Sequence, residues 1–85
     1  MDVTVEFNES AFRHGICKED ILHALETQVY DAAIEELPEK NLVIGFDRTG
    51  NPIELLYNPM DGNGIFIFHA MKLRKSTIEM LVLKE

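Results

Sequence analysis

Residues 41–70 read NLVIGFDRTGNPIELLYNPMDGNGIFIFHA, three apolar runs separated by two turn signals. Leu42, Ile44 and Phe46 alternate with smaller or polar neighbours, so residues 41–47 read as a strand. Arg48-Thr49-Gly50-Asn51 reads as a tight turn and 53–58 as the returning strand. The segment 59–64 carries both Asp61-Gly62 and Asn63-Gly64, dipeptides that suit the positive φ of hairpin turns. Residues 65–70 follow as a third strand, whose near-continuous run Ile65-Phe66-Ile67-Phe68 predicts burial on both faces. Strands joined by such short loops must run antiparallel.

Outward from these hairpins the pattern changes period. Residues 72–83 read as a helix that packs through Leu73, Ile78, Met80 and Leu81. Upstream, 18–27 read as another, with Glu19 and Asp20 in its first turn, favourable against the helix dipole, and Ile21, Leu22 and Leu25 as its apolar stripe. Residues 28–37 could extend that helix or form a strand, and the reading favours a strand stopped by Pro38. Val3, Val5 and Phe7 alternate with Thr4 and Glu6, as a short strand or an extended lead-in. Asn8 or Ser10 then caps a short turn that Gly15 ends. The expected fold is one α+β domain over residues 1–85, with a three- to four-stranded antiparallel sheet, an N-terminal helix and a C-terminal helix.

Composition narrows the classes. A single cysteine, Cys17, rules out an internal disulfide framework, and the three histidines show no zinc-ligand spacing. No apolar run approaches the ~20 residues needed to span a bilayer. The opening Met1-Asp2-Val3-Thr4-Val5-Glu6 lacks the features of a secretory signal, so the expected compartment is the cytoplasm, with no membrane partner. Neither a metal site nor a cofactor is expected. The formal net charge of −7 argues against uniform steering toward polyanions, although Lys72, Arg74 and Lys75 crowd the C-terminal third.

Counting outward from two-residue turns at Thr49-Gly50 and Asp61-Gly62 predicts facing pairs. Phe46 faces Ile53, Ile44 faces Leu55, and Leu42 faces Tyr57. On the next hairpin Tyr57 faces Phe66, Leu55 faces Phe68, and Glu54 faces His69. One sheet face would hold Leu42, Ile44, Phe46, Leu55, Tyr57, Phe66 and Phe68 as the core. Glu54 opposite His69 is the sharpest local feature, since a carboxylate can hold one imidazole tautomer and tune it for proton transfer. The plain alternative is an ordinary cross-strand polar pair. Arg13-His14 is a second candidate, able to grip a phosphate beside Gly15. Cationic Lys72, Arg74 and Lys75 at the start of the last helix suit anion capture, because free N–H groups converge there. Cys17 falls where a helix cap is usually Ser or Thr, and reads as a poor cap.

The order of these features resembles a known family. Arg13-His14-Gly15-Ile16-Cys17-Lys18-Glu19-Asp20-Ile21 resembles the opening of BrnT-type toxins, small ribonucleases of bacterial type II toxin–antitoxin pairs. Residues 41–47, the Gly50 turn and residues 53–58 are similar to that family's central hairpin, and 65–72 to its following strand and exit into a basic helix. The likeness covers roughly residues 7 to 80. It implies a RelE-like fold, messenger RNA cleavage linked to translation arrest, RNA bound with or without the ribosome, and a small antitoxin partner that also binds DNA. It places the basic–His pair on Arg13 and His14, and the basic residues after the last strand on Lys72 and Arg74. The expected chemistry is metal-independent, with His69 (oriented by Glu54) or His14 as acid or base, and Arg13, Lys72 and Arg74 on phosphate. A homodimer is left open. The acidic balance carries the other reading, a non-catalytic protein-binding module of the same fold that pairs with a basic partner.

Overall fold

The computed structural model describes residues 3–84, so Met1 and Asp2 of the signal-peptide reading lie outside the described residues. In chain order it contains β1 (Val5–Phe7), a 3₁₀ turn (Glu9–Phe12), α1 (Lys18–Glu26), β2 (Tyr30–Glu36), β3 (Glu39–Phe46), β4 (Pro52–Pro59), β5 (Ile65–Lys72) and α2 (Lys75–Lys84). The strand reading of the ambiguous segment after α1 holds, as β2. The sheet order is β1-β5-β4-β3-β2. β2 to β5 form an antiparallel meander, whereas β1 pairs with β5 in parallel, Val5 against Ile65 and Phe7 against Ile67. The expected three- to four-stranded antiparallel sheet is thus corrected to five strands and a mixed sheet. The antiparallel rule binds only strands joined by short hairpins. β1 reaches β5 from the far end of the chain, and nothing local fixes its direction.

The loops, not the strands, set the register. Asp47 accepts from the backbone N–H groups of Thr49 and Asn51, and from the Thr49 hydroxyl and Asn51 amide, so five residues (47–51) are spent between Phe46 and its partner Pro52. Gly45 therefore faces Ile53, Val43 faces Leu55 and Asn41 faces Tyr57, one residue off the expected pairing. A slip of one flips every side chain of a strand. Val43 joins Ile53, Leu55, Ile67 and Ala70 on the face that packs against Ile21 and Ala24 of α1. Leu42 and Ile44, expected in that core, are buried on the opposite face instead. Phe46, Phe66 and Phe68, also expected in the core, are only partly buried.

α1 lies close on its sheet face because β3 offers glycine there. A Cβ built on Gly45 would overlap the Ala24 carbonyl. The start of α1 is tied to the β3–β4 loop by Asp20, which accepts from the Arg48 backbone N–H (2.9 Å) and Nε (2.8 Å). Those bonds hold the Asp20 carboxyl at about 2, below its ordinary 3.8. Cys17 precedes the helix without a side-chain cap bond and instead donates its S–H to Asp20 (3.2 Å).

β5 runs on to Lys72, and α2 begins only at Lys75, three residues later than the sequence pattern predicts. Leu73 explains the delay, since its N–H is taken by the Pro52 carbonyl and the chain stays extended alongside the start of β4.

Because the Ala24 carbonyl is backbone and cannot swing aside, Gly45→Ala should push α1 off the sheet. The expected loss is at the upper end of the ~1–3 kcal/mol usual for overpacking, read as a lower midpoint in urea denaturation with an unchanged slope.

Candidate functional site

Glu54 is the third residue of β4, on the face away from α1, and its side chain is 1% exposed. A buried carboxylate needs donors for all its lone pairs. Glu54 has five. His69 donates Nε2–H at 2.9 Å, Arg74 donates its backbone N–H at 3.0 Å, its Nε at 3.1 Å and its Nη2 at 2.7 Å, and the Thr77 hydroxyl donates at 2.6 Å. Burial pushes the Glu54 carboxyl up, but the bonds from His69, Arg74 and Thr77 outweigh it and hold the group at about 2. An ionised carboxylate only accepts, so the proton of the shared bond belongs to His69 Nε2.

Arg74 and Thr77 bracket the start of α2. The Thr77 and Ile78 N–H groups bond the Arg74 carbonyl, which makes Arg74 the residue that opens the helix. Glu54 thus seats its charge against the N-terminus of α2, as the helix dipole favours. The helix start, with Lys72, Arg74 and Lys75 expected on phosphate, thus already holds an anion of its own. The anion it captures is the chain's own Glu54.

His69 is joined by a residue from far away in sequence. The rings of His14 and His69 meet edge to face, with centroids 5.6 Å apart. The 3₁₀ turn brings His14 there. Asn8 caps it through its side chain to the Ser10 N–H, Asn8 N–H bonds the Ile67 carbonyl, and the Ser10 hydroxyl bonds the Phe68 carbonyl. The turn is pinned to the edge of β5 just past the end of β1, and Gly15, at φ 82°, turns the chain away again.

Of the residues singled out in the sequence, the structure gathers Glu54, His69, His14 and Arg74. Arg13 follows the 3₁₀ turn, exposed and beside His14, and forms no ion pair among the described residues. Lys72 is not brought in. It pairs with Ile53, on the pleat that faces α1, whereas His69 and Glu54 lie on the other. The Glu54–His69 contact forms, although in another register. Glu54 stands opposite Met71 and His69 opposite Leu56, with a bulge before Tyr57. A shift of two keeps both side chains on one face as diagonal neighbours, within reach of each other. Thr77 was not anticipated, and its only trace in the sequence is a hydroxyl residue three positions after Arg74.

The other polar groups have structural partners. His23 Nδ1 meets the Phe46 carbonyl at 2.8 Å. The Tyr57 hydroxyl donates to Asp31 at 3.1 Å, and burial together with the Asp31 charge pushes it up to about 12. Among the described residues no group of three His, Cys, Asp or Glu side chains could hold a metal ion, and no helix is long and apolar enough to cross a membrane. A cleft of about 660 Å³ lies on the α1 face among Val5, Leu25, Val43, Tyr57 and Ile65, and holds neither histidine of the pair. Another of about 270 Å³ under α2 is lined by Glu54, Arg74 and Thr77, so it and the first open on opposite faces of the sheet. No protein-family model, curated protein or solved structure matches the chain.

The Glu54 charge has a pH signature. Its folded value lies near 2, against an ordinary 4.5. The stabilisation is therefore complete above pH 4.5 and fades as the pH falls from there toward 2. Urea midpoints of the wild type should drop over that window. Glu54→Gln should be weaker at neutral pH and lose less than wild type over that window, where the lowered Asp20 and Asp47 still titrate. Arg74→Ala leaves the backbone N–H, His69 and Thr77 on the buried carboxylate and removes two charge-assisted bonds. It should cost about 1.5–3 kcal/mol at pH 7 by the same measurement.

Proposed function

We propose that this chain is a toxin-like ribonuclease of a type II toxin–antitoxin pair, RelE-like in fold and related to the BrnT-type toxins, which cuts messenger RNA without a metal. The observation that carries the reading is the meeting of two imidazoles from the two ends of the chain, one of them fixed on a buried carboxylate with an arginine alongside. The opening from Arg13, the central hairpin with residues 53–58, and the run from Ile65 to Lys72 are the stretches that carry the family resemblance, and they contain His14, Glu54 and His69.

RNA cleavage needs a base on the 2′-hydroxyl, an acid for the departing 5′-oxygen and positive charge on the phosphate. His69, with Nε2–H committed to Glu54, keeps the Nδ1 lone pair to take the 2′-hydroxyl proton, and Glu54 stabilises the imidazolium that forms. The 2′-oxygen attacks phosphorus, the bond to the 5′-oxygen breaks, and His14 in its protonated form gives that oxygen a proton. The products are a 2′,3′-cyclic phosphate and a 5′-hydroxyl. Arg13 and the outer edge of half-exposed Arg74 face the phosphate charge. Lys72 has no part in this, for the reason of its pleat.

The second reading is a binding module without catalysis. It is supported by the net charge of −7 and by the exposed Asp31, Glu35 and Glu36 on edge strand β2, which suit a basic partner.

Induced expression in bacteria, with growth and protein synthesis followed, separates the two. Wild type should arrest synthesis promptly and leave RNA fragments with cyclic-phosphate ends. His14→Ala and His69→Ala should each lower cleavage roughly 10²- to 10⁴-fold at equal protein level. Wild-type protein that is folded, abundant and harmless would move the assignment to the binding module. Cleavage undiminished in both histidine variants would remove the proposed site.

A further inference from the structure

The two imidazoles account for the scissile phosphate and leave open what holds the bases beside it. Two residues before His14, the 3₁₀ turn presents Phe12, 39% exposed. Consecutive Cα atoms are 3.80 Å apart, so Phe12 and His14 lie within about 7.6 Å along the backbone, the reach of one nucleotide. Phe12 stacks on Phe7, with centroids 5.5 Å apart and planes inclined by 30°. Phe7 is itself fixed, as the last residue of β1, paired with Ile67 and packed against the core.

The platform is rigid for the reasons that position His14. The Asn8 cap and the bonds from Asn8 N–H and Ser10 Oγ to β5 fix the turn that carries Phe12. Two cations stand beside it, on a stretch that also carries Glu6, Glu9 and Glu19. Lys18 holds its ammonium 5.6 Å from the Phe7 centroid, and Arg13 lies between Phe12 and His14. Neither forms an ion pair among the described residues, whereas Lys40 and Arg48 are paired with Glu35 and Asp20. Phe12 is the outer and more exposed ring of the stacked pair, so one of its faces is open to a ligand.

We propose that Phe12, backed by Phe7, is a stacking subsite for a nucleobase of single-stranded RNA next to the phosphate held at His14 and His69, with Arg13 and Lys18 on the adjoining backbone. The inference rests on the ribonuclease reading. Aromatic rings hold bases of any identity, since every base has a π face, so the subsite positions the strand without reading its sequence. Closure of the strand over Phe12 also covers the apolar surface that the turn leaves in water.

The test uses a single-stranded 2′-O-methyl RNA oligomer carrying 2-aminopurine, which cannot be cleaved and whose fluorescence is quenched when the base stacks. Wild type should bind it with salt-dependent affinity and quench it. Phe12→Ala should bind roughly 5- to 150-fold more weakly and lose the quenching. Phe12→Leu, which keeps an apolar cover on Phe7 and so preserves the turn, should behave like Phe12→Ala, while Phe12→Tyr should behave like wild type. Equal binding and quenching in wild type, Phe12→Ala and Phe12→Leu would overturn the platform and leave the ribonuclease reading in place. No binding of the oligomer by the wild type would overturn the platform as well, while the ribonuclease reading stands or falls on the induced-expression experiment.

Discussion

A carboxylate sealed inside the sheet is the constraint from which most of this molecule follows. Glu54 is charged and has almost no contact with water, so its oxygens must be met by protein donors. Meeting them fixes the start of α2, the tautomer of His69 and the direction of Arg74 together. α2 has little else to hold it. Ile78, Val82 and Leu83 remain exposed, and no ordinary capping residue precedes the helix. The cap is supplied from a strand 20 residues upstream, so the helix is anchored at its first turn by a polar contact more than along its length by burial.

The two faces of the sheet consequently do different work. Against α1 the packing is apolar and close, down to a backbone contact that only glycine permits at position 45. The opposite face carries the buried polar network and the imidazole pair. The acids Asp31, Glu35 and Glu36 lie on β2 at one edge of the sheet, while Arg13, His14 and Lys18 follow the 3₁₀ turn at the other, where Glu6 and Glu9 also stand.

Element types were legible because they rest on period and turn chemistry. The apolar alternation of 41–47, the Asp-Gly and Asn-Gly signals and the stripe of 18–27 each produced the expected element. Registers were less legible, because they depend on how many residues a loop consumes. Asp47 drew Thr49 and Asn51 into a five-residue loop, and that one extra step exchanged Leu42 for Val43 in the α1 core. On the next hairpin the deviation was two residues at Glu54, and an even shift preserves the face. The Glu54–His69 contact therefore formed despite the wrong pairing.

The amino-acid sequence by itself determined the local elements, the hairpin connections that force β3 to β5 to run antiparallel, and the chemical identity of the groups available to a site. These depend on interactions between near neighbours, whose geometry the side chains carry with them. Only the tertiary structure decided that β1 runs parallel to β5, that Lys72 falls on the wrong pleat, and that His14 meets His69 across 55 positions of sequence. Those outcomes depend on strand edges and loop lengths that are settled jointly when the sheet closes, and no local pattern encodes them.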